Sequence, residues 1–302
     1  MIKYCFIILI KILKIILSEV FIVVKVFSTV IEKGGVGKTT VTFNGGERLA
    51  SLNKRVLLVD MDKKPSLTAR YDIDESYYND GTLKHEHTVA KFFEDGGSDP
   101  VPINVKPNID LIAGYPQLSE LKKDVEEGMQ RMYLLRWFYA NLDELEKKYD
   151  YIWIDNHNDL SIFVDNTIAI SDLVVIPIDV DLDSMNRLSE VDNHIERLKK
   201  IMVEPISKKS YVNAASVKIG NMLDYNTSDS HSFKKAFEEL SKSDPSYLGC
   251  FYRRTAFKAA KSQNKPLVEI ERESSKNDKG LQKFFFDTWA IYDKIFEAVN
   301  NI

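Results

Sequence analysis

The sequence predicts one α/β domain, a mostly parallel twisted sheet flanked by helices on both faces. Three observations predict it. Short β-branched runs, apolar almost from end to end, recur at residues 25–31, 55–62, 150–156, 172–179 and 216–223. Helical stretches separate them, and this alternation is the pattern of a parallel sheet covered on both sides. Of the 302 residues, 28% are charged and 44% belong to the hydrophobic set, which suits a globular protein with a large core.

The opening stretch, MIKYCFIILIKILKIILSEVFIVV, is very apolar but is interrupted by Lys3, Lys11, Lys14 and Glu19. No uncharged run approaches the ~18–20 residues of a membrane span, and there is no small-residue cleavage pattern. At helical spacing Lys3, Lys11, Lys14 and Ser18 share one narrow face, which admits an interfacial helix. The preferred expectation is simpler. Residues 1–23 are an extension read from an AT-rich upstream region, and the folded domain runs from Val24 to the end, residues 24–302.

The first strand, KVFSTVI, leads at once into EKGGVGKTT and then into a helix weakened by Gly45 and Gly46. Strand, glycine-rich loop and helix form the setting of a phosphate-binding loop, although Glu32 stands where the usual pattern has its first glycine. Backbone N–H groups of Gly34, Gly35, Val36, Gly37 and the residues after it, up to Thr40, would cradle phosphate oxygens at a helix N-terminus. Lys38 would reach the β- and γ-phosphates and the Thr39 hydroxyl would ligate Mg²⁺. ATP and Mg²⁺ are therefore the expected cofactors.

RVLLVDMD ends in Asp60 and Asp62, two residues apart and expected on one side of a strand end. Ligands of doubly wound sheets bind beyond the carboxyl ends of strands. The run YDYIWIDN ends near Asp155, a candidate Mg²⁺ carboxylate. DLVVIPID and SVKIGNML supply two more strands, joined by the helical segment DSMNRLSEVDNHIERLKKIM. The polar stretch 95–107 reads as a loop. No repeat or low-complexity linker is evident, and no role is assigned to His157.

From residue 25 to about 270 the chain resembles the ParA/MinD group of deviant Walker ATPases, and within it the ParA/Soj partition ATPases. The anchors are EKGGVGKTT, KRVLLVDMDKKPSLT, YDYIWIDNHNDL, DLVVIPID, KIGNML and RTAFKAAKSQNKPLVE, in the family's order. The resemblance implies a P-loop NTPase of one domain that hydrolyses ATP slowly and forms a homodimer with ATP sandwiched between subunits. It implies that Lys33, the extra loop lysine, reaches the partner's nucleotide. Asp62 would position the attacking water, Asp60 and Asp155 would serve the Mg²⁺ shell, and Asn221 would lie near the adenine. It further implies DNA binding without sequence preference, a ParB-like centromere-binding partner, and a cytoplasmic, nucleoid-associated location.

Charge is consistent with a polyanion face, though the net charge of −4 does not advertise one. Residues 197–265 hold 14 Lys/Arg against 6 Asp/Glu, an excess of +8. Arg253, Arg254, Lys258, Lys261 and Lys265 fall in the segment similar to the family's DNA-contacting stretch, with Ala256 where its second arginine is expected. Two cysteines, Cys5 and Cys250, suggest no disulfide framework and fit a reducing compartment. The loops depart from the family pattern: KKPS follows Asp62 in place of P-Q-G-N, and NHN follows Asp155 in place of C-P-P. A MinD-like membrane ATPase is the first alternative, but the last segment is acidic, with Asp287, Asp293 and Glu297 against Lys294. The second is a nucleotide-gated interaction protein with negligible turnover, against which Asp62 argues.

Overall fold

The computed structural model describes residues 23–94, 99–122, 125 and 132–302, with the side chains of 182–186, 258, 259, 261 and 262 left out. The expected extension therefore lies, but for Val23, outside the described residues.

The order of elements is β1 (Lys25–Thr29), α1 (Lys38–Ser51), β2 (Val56–Met61), β3 (Ile103–Lys106), β4 (Ile109–Ile112), α2 (Tyr133–Lys148), β5 (Tyr151–Asn156), α3 (Ile162–Ile170), β6 (Leu173–Ile178), α4 (Leu182–Ile201), β7 (Ala215–Leu223), α5 (Ser228–Ser243), β8 (Tyr247–Tyr252), α6 (Thr255–Ser262), α7 (Leu267–Glu273) and α8 (Lys279–Asn300). Among the described residues the main sheet has eight strands in the order β8-β7-β6-β1-β5-β2-β4-β3. All neighbours pair in parallel except β3 with β4.

Every residue of β2, β5 and β6 is buried, which is why their sequences run apolar without alternation. Successive side chains still go to opposite faces. Leu57, Val59, Ile152 and Ile154 join the core beneath α2, α3 and α4, whereas Phe27, Leu58, Trp153 and Val175 join the core beneath α1, α7 and α8. On that second face Phe27 stacks on Trp153 at 4.6 Å between centroids, and Tyr292 and Phe296 of α8 meet Trp153 edge-on at 6.4 and 6.3 Å. Most aromatic residues of the last helix thus pack onto the domain, as expected, whereas Phe286 is 74% exposed. No described helix is long and apolar enough to cross a membrane.

Two local departures from the sequence expectations have physical causes. The stretch 95–107 is not all loop, because residues 103–106 form β3, held antiparallel at the sheet edge against β4 by a tight turn at Asn108, whose φ is +66°. The edge strand β8, YLGCFY, was not anticipated. Gly249 and two register irregularities against β7 hide its period. Gly45 and Gly46 do not weaken α1 in this setting. A Cβ on Gly45 would stand 2.0 Å from Trp153 Cζ3, and one on Gly46 2.8 Å from Leu58 Cδ2. These glycines let the helix lie directly on the sheet.

Candidate functional site

β1 is central, with β6 on one side and β5 on the other, so the crevice at its carboxyl end is where a doubly wound sheet places a ligand. The chain leaves β1 into the loop 30–37 and turns into α1 there. Gly35 and Gly37 take φ of +78° and +91°, conformations an L side chain adopts only with strain. Gly37 is the N-cap of α1, no side chain caps that terminus, and its first turn holds no acidic residue. The first N–H groups of a 14-residue helix are thereby left facing the loop, a ready anion site.

Lys38 is 8% exposed, and its ammonium donates to the Lys33 carbonyl at 3.0 Å and towards the Ile31 carbonyl at 3.4 Å. Burial lowers its pKa, partly offset by the charges of Asp155, Asp62 and Asp159. A cation held by neutral carbonyls inside a ring of carboxylates is poised to exchange those carbonyls for phosphate oxygens.

Asp60 and Asp155 are fully buried register partners on β2 and β5. Burial raises both. Asp60 is pushed up to about 8, with the Asp155 charge adding to the effect, and Asp155 to about 7 despite the neighbouring Thr39 hydroxyl and Lys38 ammonium. Their surroundings differ. Asp60 accepts from Thr68 N and Oγ1, each at 2.8 Å, and from Asp62 N at 3.3 Å. Asp155 Oδ1 faces Thr42 Oγ1 at 3.5 Å, and its Oδ2 is buried with no hydrogen-bond partner. An orphaned oxygen beside Thr39, on a carboxylate whose ionised form is disfavoured, fits a divalent cation, which would lower that cost. Asp155 and Thr39 are the residues that suit Mg²⁺ directly; Asp60, with protein donors on both oxygens, suits an outer role. Asp62 lies past the strand end, half-buried, and accepts from Lys64 N at 2.9 Å.

Lys33 turns back onto its own chain. Its ammonium contacts Asp179 and Asp181, just after β6, at 2.9 Å each. Burial pulls its pKa down, but the two carboxylates outweigh that and raise it. Arg187 of α4 donates to the Glu32 carbonyl at 2.7 Å, so the start of the loop is tied to the β6–α4 junction twice.

Asn221, at the end of β7, is 7% exposed and donates to the Val36 carbonyl at 2.7 Å. It therefore braces the phosphate loop and also reaches a cavity of about 280 Å³ whose walls include Thr40, Phe43, Arg70, Tyr252 and Arg253. Sequence reasoning missed Arg70 and Tyr252. They come from segments far apart in the chain and carry no spacing signal.

Among the described residues, several cations of the basic segment are paired with carboxylates. Lys218 is buried and paired with Asp192 at 2.9 Å, Lys242 pairs with Glu239 at 2.7 Å, and Lys265 with Glu273 at 2.6 Å. Arg253 lines the cavity beside Thr40, 3.8 Å from Asp224, and Lys265 lines it too. Arg253 thus shares a cavity wall with Thr40, in the first turn of α1. Arg254 lies over the Tyr225 ring at 4.2 Å, and Tyr225 stacks on Tyr252 at 4.1 Å. The side chains of Lys258 and Lys261, on α6, lie outside the described residues.

Comparison with known proteins adds to this geometry. Residues 24–208 match a family described as AAA domain. The sporulation initiation inhibitor protein Soj of Bacillus subtilis (strain 168) is 30% identical over 178 residues, which are 58% of this chain and 66% of that protein. The first curated relatives are thus covered over about half to two thirds of their length, 66% and 53% for the first two. A crystal structure of a plasmid partition protein from Borrelia burgdorferi superposes with a TM-score of 0.60 at 25% identity, over 83% of this chain and 98% of that one. A plasmid partition protein from Borrelia burgdorferi B31 bound to AMPPNP has the same fold, with a TM-score of 0.63 at 21% identity over 91% and 99% of the two chains.

Proposed function

The chain belongs to this AAA domain family and is of the ParA/Soj partition type, and from that premise we propose that it is a Mg²⁺-dependent ATPase that dimerises around ATP, binds DNA without sequence preference and drives partition of a plasmid or chromosome. The observation that carries the reading is the uncapped start of α1 with buried Lys38 on one side and the orphaned oxygen of Asp155 on the other. Those groups take a nucleoside triphosphate and its cation together. The cavity at Thr40, Asn221 and Tyr252 has the size and the aromatic wall for a base.

In this reading the loop N–H groups and Lys38 bind the phosphates, and Thr39 and Asp155 hold Mg²⁺. The cation supplies charge neutralisation at the phosphate oxygens. Asp62 orients the attacking water from its place at the rim. Lys33 leaves Asp179 and Asp181 and crosses to the nucleotide of a second subunit, so that association depends on ATP. Basic residues of α6 and its flanks supply the sequence-independent phosphate contacts to DNA, and a ParB-like partner stimulates hydrolysis and release. The protein works in the cytoplasm, on the nucleoid. A MinD-like membrane role fits less well, because the last helix has no basic excess, with three lysines against three carboxylates, and turns most of its aromatic residues to the core.

The test joins phosphate release, light scattering and DNA anisotropy in ATP and in ADP. Lys38→Ala abolishes ATP binding. Lys33→Ala keeps at least weak ATP binding and loses the ATP-dependent dimer; full dimerisation by that variant refutes the sandwich. DNA binding appears only with ATP, falls steeply with salt and is lost in Lys258→Glu/Lys261→Glu. That pair is a cleaner probe than Arg253, which borders the cavity beside Asn221. Equal DNA affinity in both nucleotides overturns the partition mechanism.

A further inference from the structure

We propose that His157 is a positioning residue for hydrolysis, fixing the carboxylate of Asp62 through the short polar loop that follows β5. The proposal rests on the ATPase reading above. Sequence reasoning gave His157 no role, and the family pattern has proline-rich C-P-P where this chain has Asn156, His157 and Asn158.

The loop leaves β5 after Asn156, the residue next to Asp155, and its root is fixed. Asn156 is 1% exposed, donates to the Thr29 carbonyl at 3.3 Å and accepts from Thr167 Oγ1 at 2.8 Å. From that root His157 reaches between two carboxylates. Its Nε2 faces Asp62 Oδ1 at 3.8 Å and its Nδ1 faces Asp159 Oδ2 at 3.5 Å. The other oxygen of Asp159, Oδ1, is buried without a hydrogen-bond partner, and the Asp159 charge acts on Lys38. The next residue lies over the phosphate loop, since Asn158 Nδ2 stands 3.4 Å from where a Cβ of Gly34 would be.

One loop therefore lies close to the phosphate loop at Asn158 and faces the water-orienting carboxylate through His157. Asp62 is otherwise held on that oxygen by the backbone N–H of Lys64 at 2.9 Å, from an exposed segment. A carboxylate fixed by one exposed turn has freedom to swing. An imidazole braced by Asp159 on its far nitrogen limits that swing, the arrangement by which a third group orients a catalytic pair. Polar contacts here supply the stiffness that proline rings supply in the family pattern. The gaps of 3.5 and 3.8 Å close by small rotations when nucleotide draws the loop in.

Single-turnover and steady-state phosphate release test this in the full-length protein. His157→Ala lowers kcat ~10-fold, the scale of a modest misplacement of a reacting group, with KM for ATP and Tm nearly unchanged. His157→Gln, which keeps a hydrogen-bonding group at that reach, recovers most of the rate. Asp159→Asn gives a smaller fall in kcat. In an Asp62→Ala background His157→Ala has no further effect. Unchanged kcat in His157→Ala overturns the proposal, as does a loss that appears equally in ATP affinity or is additive with Asp62→Ala. A wild type that binds ATP and releases no phosphate instead overturns the ATPase reading itself.

Discussion

Replacing Gly45 with alanine sets two physical effects against each other, and only one depends on the tertiary structure. Gly45 sits in the interior of α1, where helix propensity alone makes Gly→Ala stabilising by ~1 kcal/mol. The fold reverses the sign. A Cβ there would stand 2.0 and 2.2 Å from Cζ3 and Cη2 of Trp153. Carbon atoms in contact want ~3.5–4.0 Å, so the indole or the helix must move by roughly 1.5 Å. Trp153 has little room to yield. It is completely buried, stacked on Phe27, met edge-on by Phe296, and its Nε1 donates to Thr29 Oγ1 at 2.9 Å. Overpacking of this kind costs ~1–3 kcal/mol, and so short a contact belongs at the upper end. The net is a destabilisation of about 2 kcal/mol, or roughly 4 °C in Tm at ~2 °C per kcal/mol for a chain of this size. Trp153 is two residues before Asp155 on β5, so ATP affinity falls as well. Urea unfolding followed by tryptophan fluorescence measures the change, with an unaltered m-value expected. Gly280→Ala in the first turn of α8 serves as the control. Its nearest neighbour is Asp278 Oδ1 at 3.4 Å, and it should be neutral or slightly stabilising. If Gly45→Ala is as stable as the parent or more so, the close packing of α1 on β5 is wrong.

Asp62→Ala should trap an ATP-bound dimer, because the phosphate-binding groups remain while the water loses its orienting carboxylate; undiminished phosphate release would exclude that role. Asp179→Asn/Asp181→Asn should weaken the hold on Lys33 and favour the ATP-dependent dimer by about 2–5-fold, the scale of ~0.5–1 kcal/mol for partly exposed pairs, read by light scattering across protein concentration; weaker dimerisation would mean that these carboxylates support the interface. Stability should depend on pH in a defined direction. The raised values of Asp60, about 8, and Asp155, about 7, mean that above the ordinary carboxylate value of 3.8 the folded state holds protons the unfolded state has released. Their stabilisation is complete below about pH 4 and is lost as pH rises through 7 to 8, with a slope of at most ~1.4 kcal/mol per pH unit per carboxylate. Thermal melts without metal should therefore fall from pH 6 to 9, and Mg²⁺ with ATP should flatten the decline; a metal-free melt that rises over that range would contradict the buried pair.

The sequence by itself determined the parallel α/β sheet and the phosphate loop, because both are written locally. Runs such as VLLVD and YIWID admit only a buried strand, and GGVGKTT between strand and helix leaves little freedom for the backbone. Asp155 was legible for the same reason, standing at a strand's carboxyl end. The tertiary structure decided what depends on neighbours from other parts of the chain. It made Gly45 and Gly46 contact surfaces for Trp153 and Leu58, where the local pattern reads them as helix weaknesses. It separated Asp60 from Asp155 by giving one a full set of donors and leaving the other an orphaned oxygen. It brought Arg253 to the rim of the nucleotide cavity, folded Lys33 onto Asp179 and Asp181, and set His157 between Asp62 and Asp159. The physical reason is common to all of these. Backbone conformation follows from a few adjacent residues, whereas a side chain's charge, hydrogen bonds and free space are set by whichever distant segments the sheet places against it.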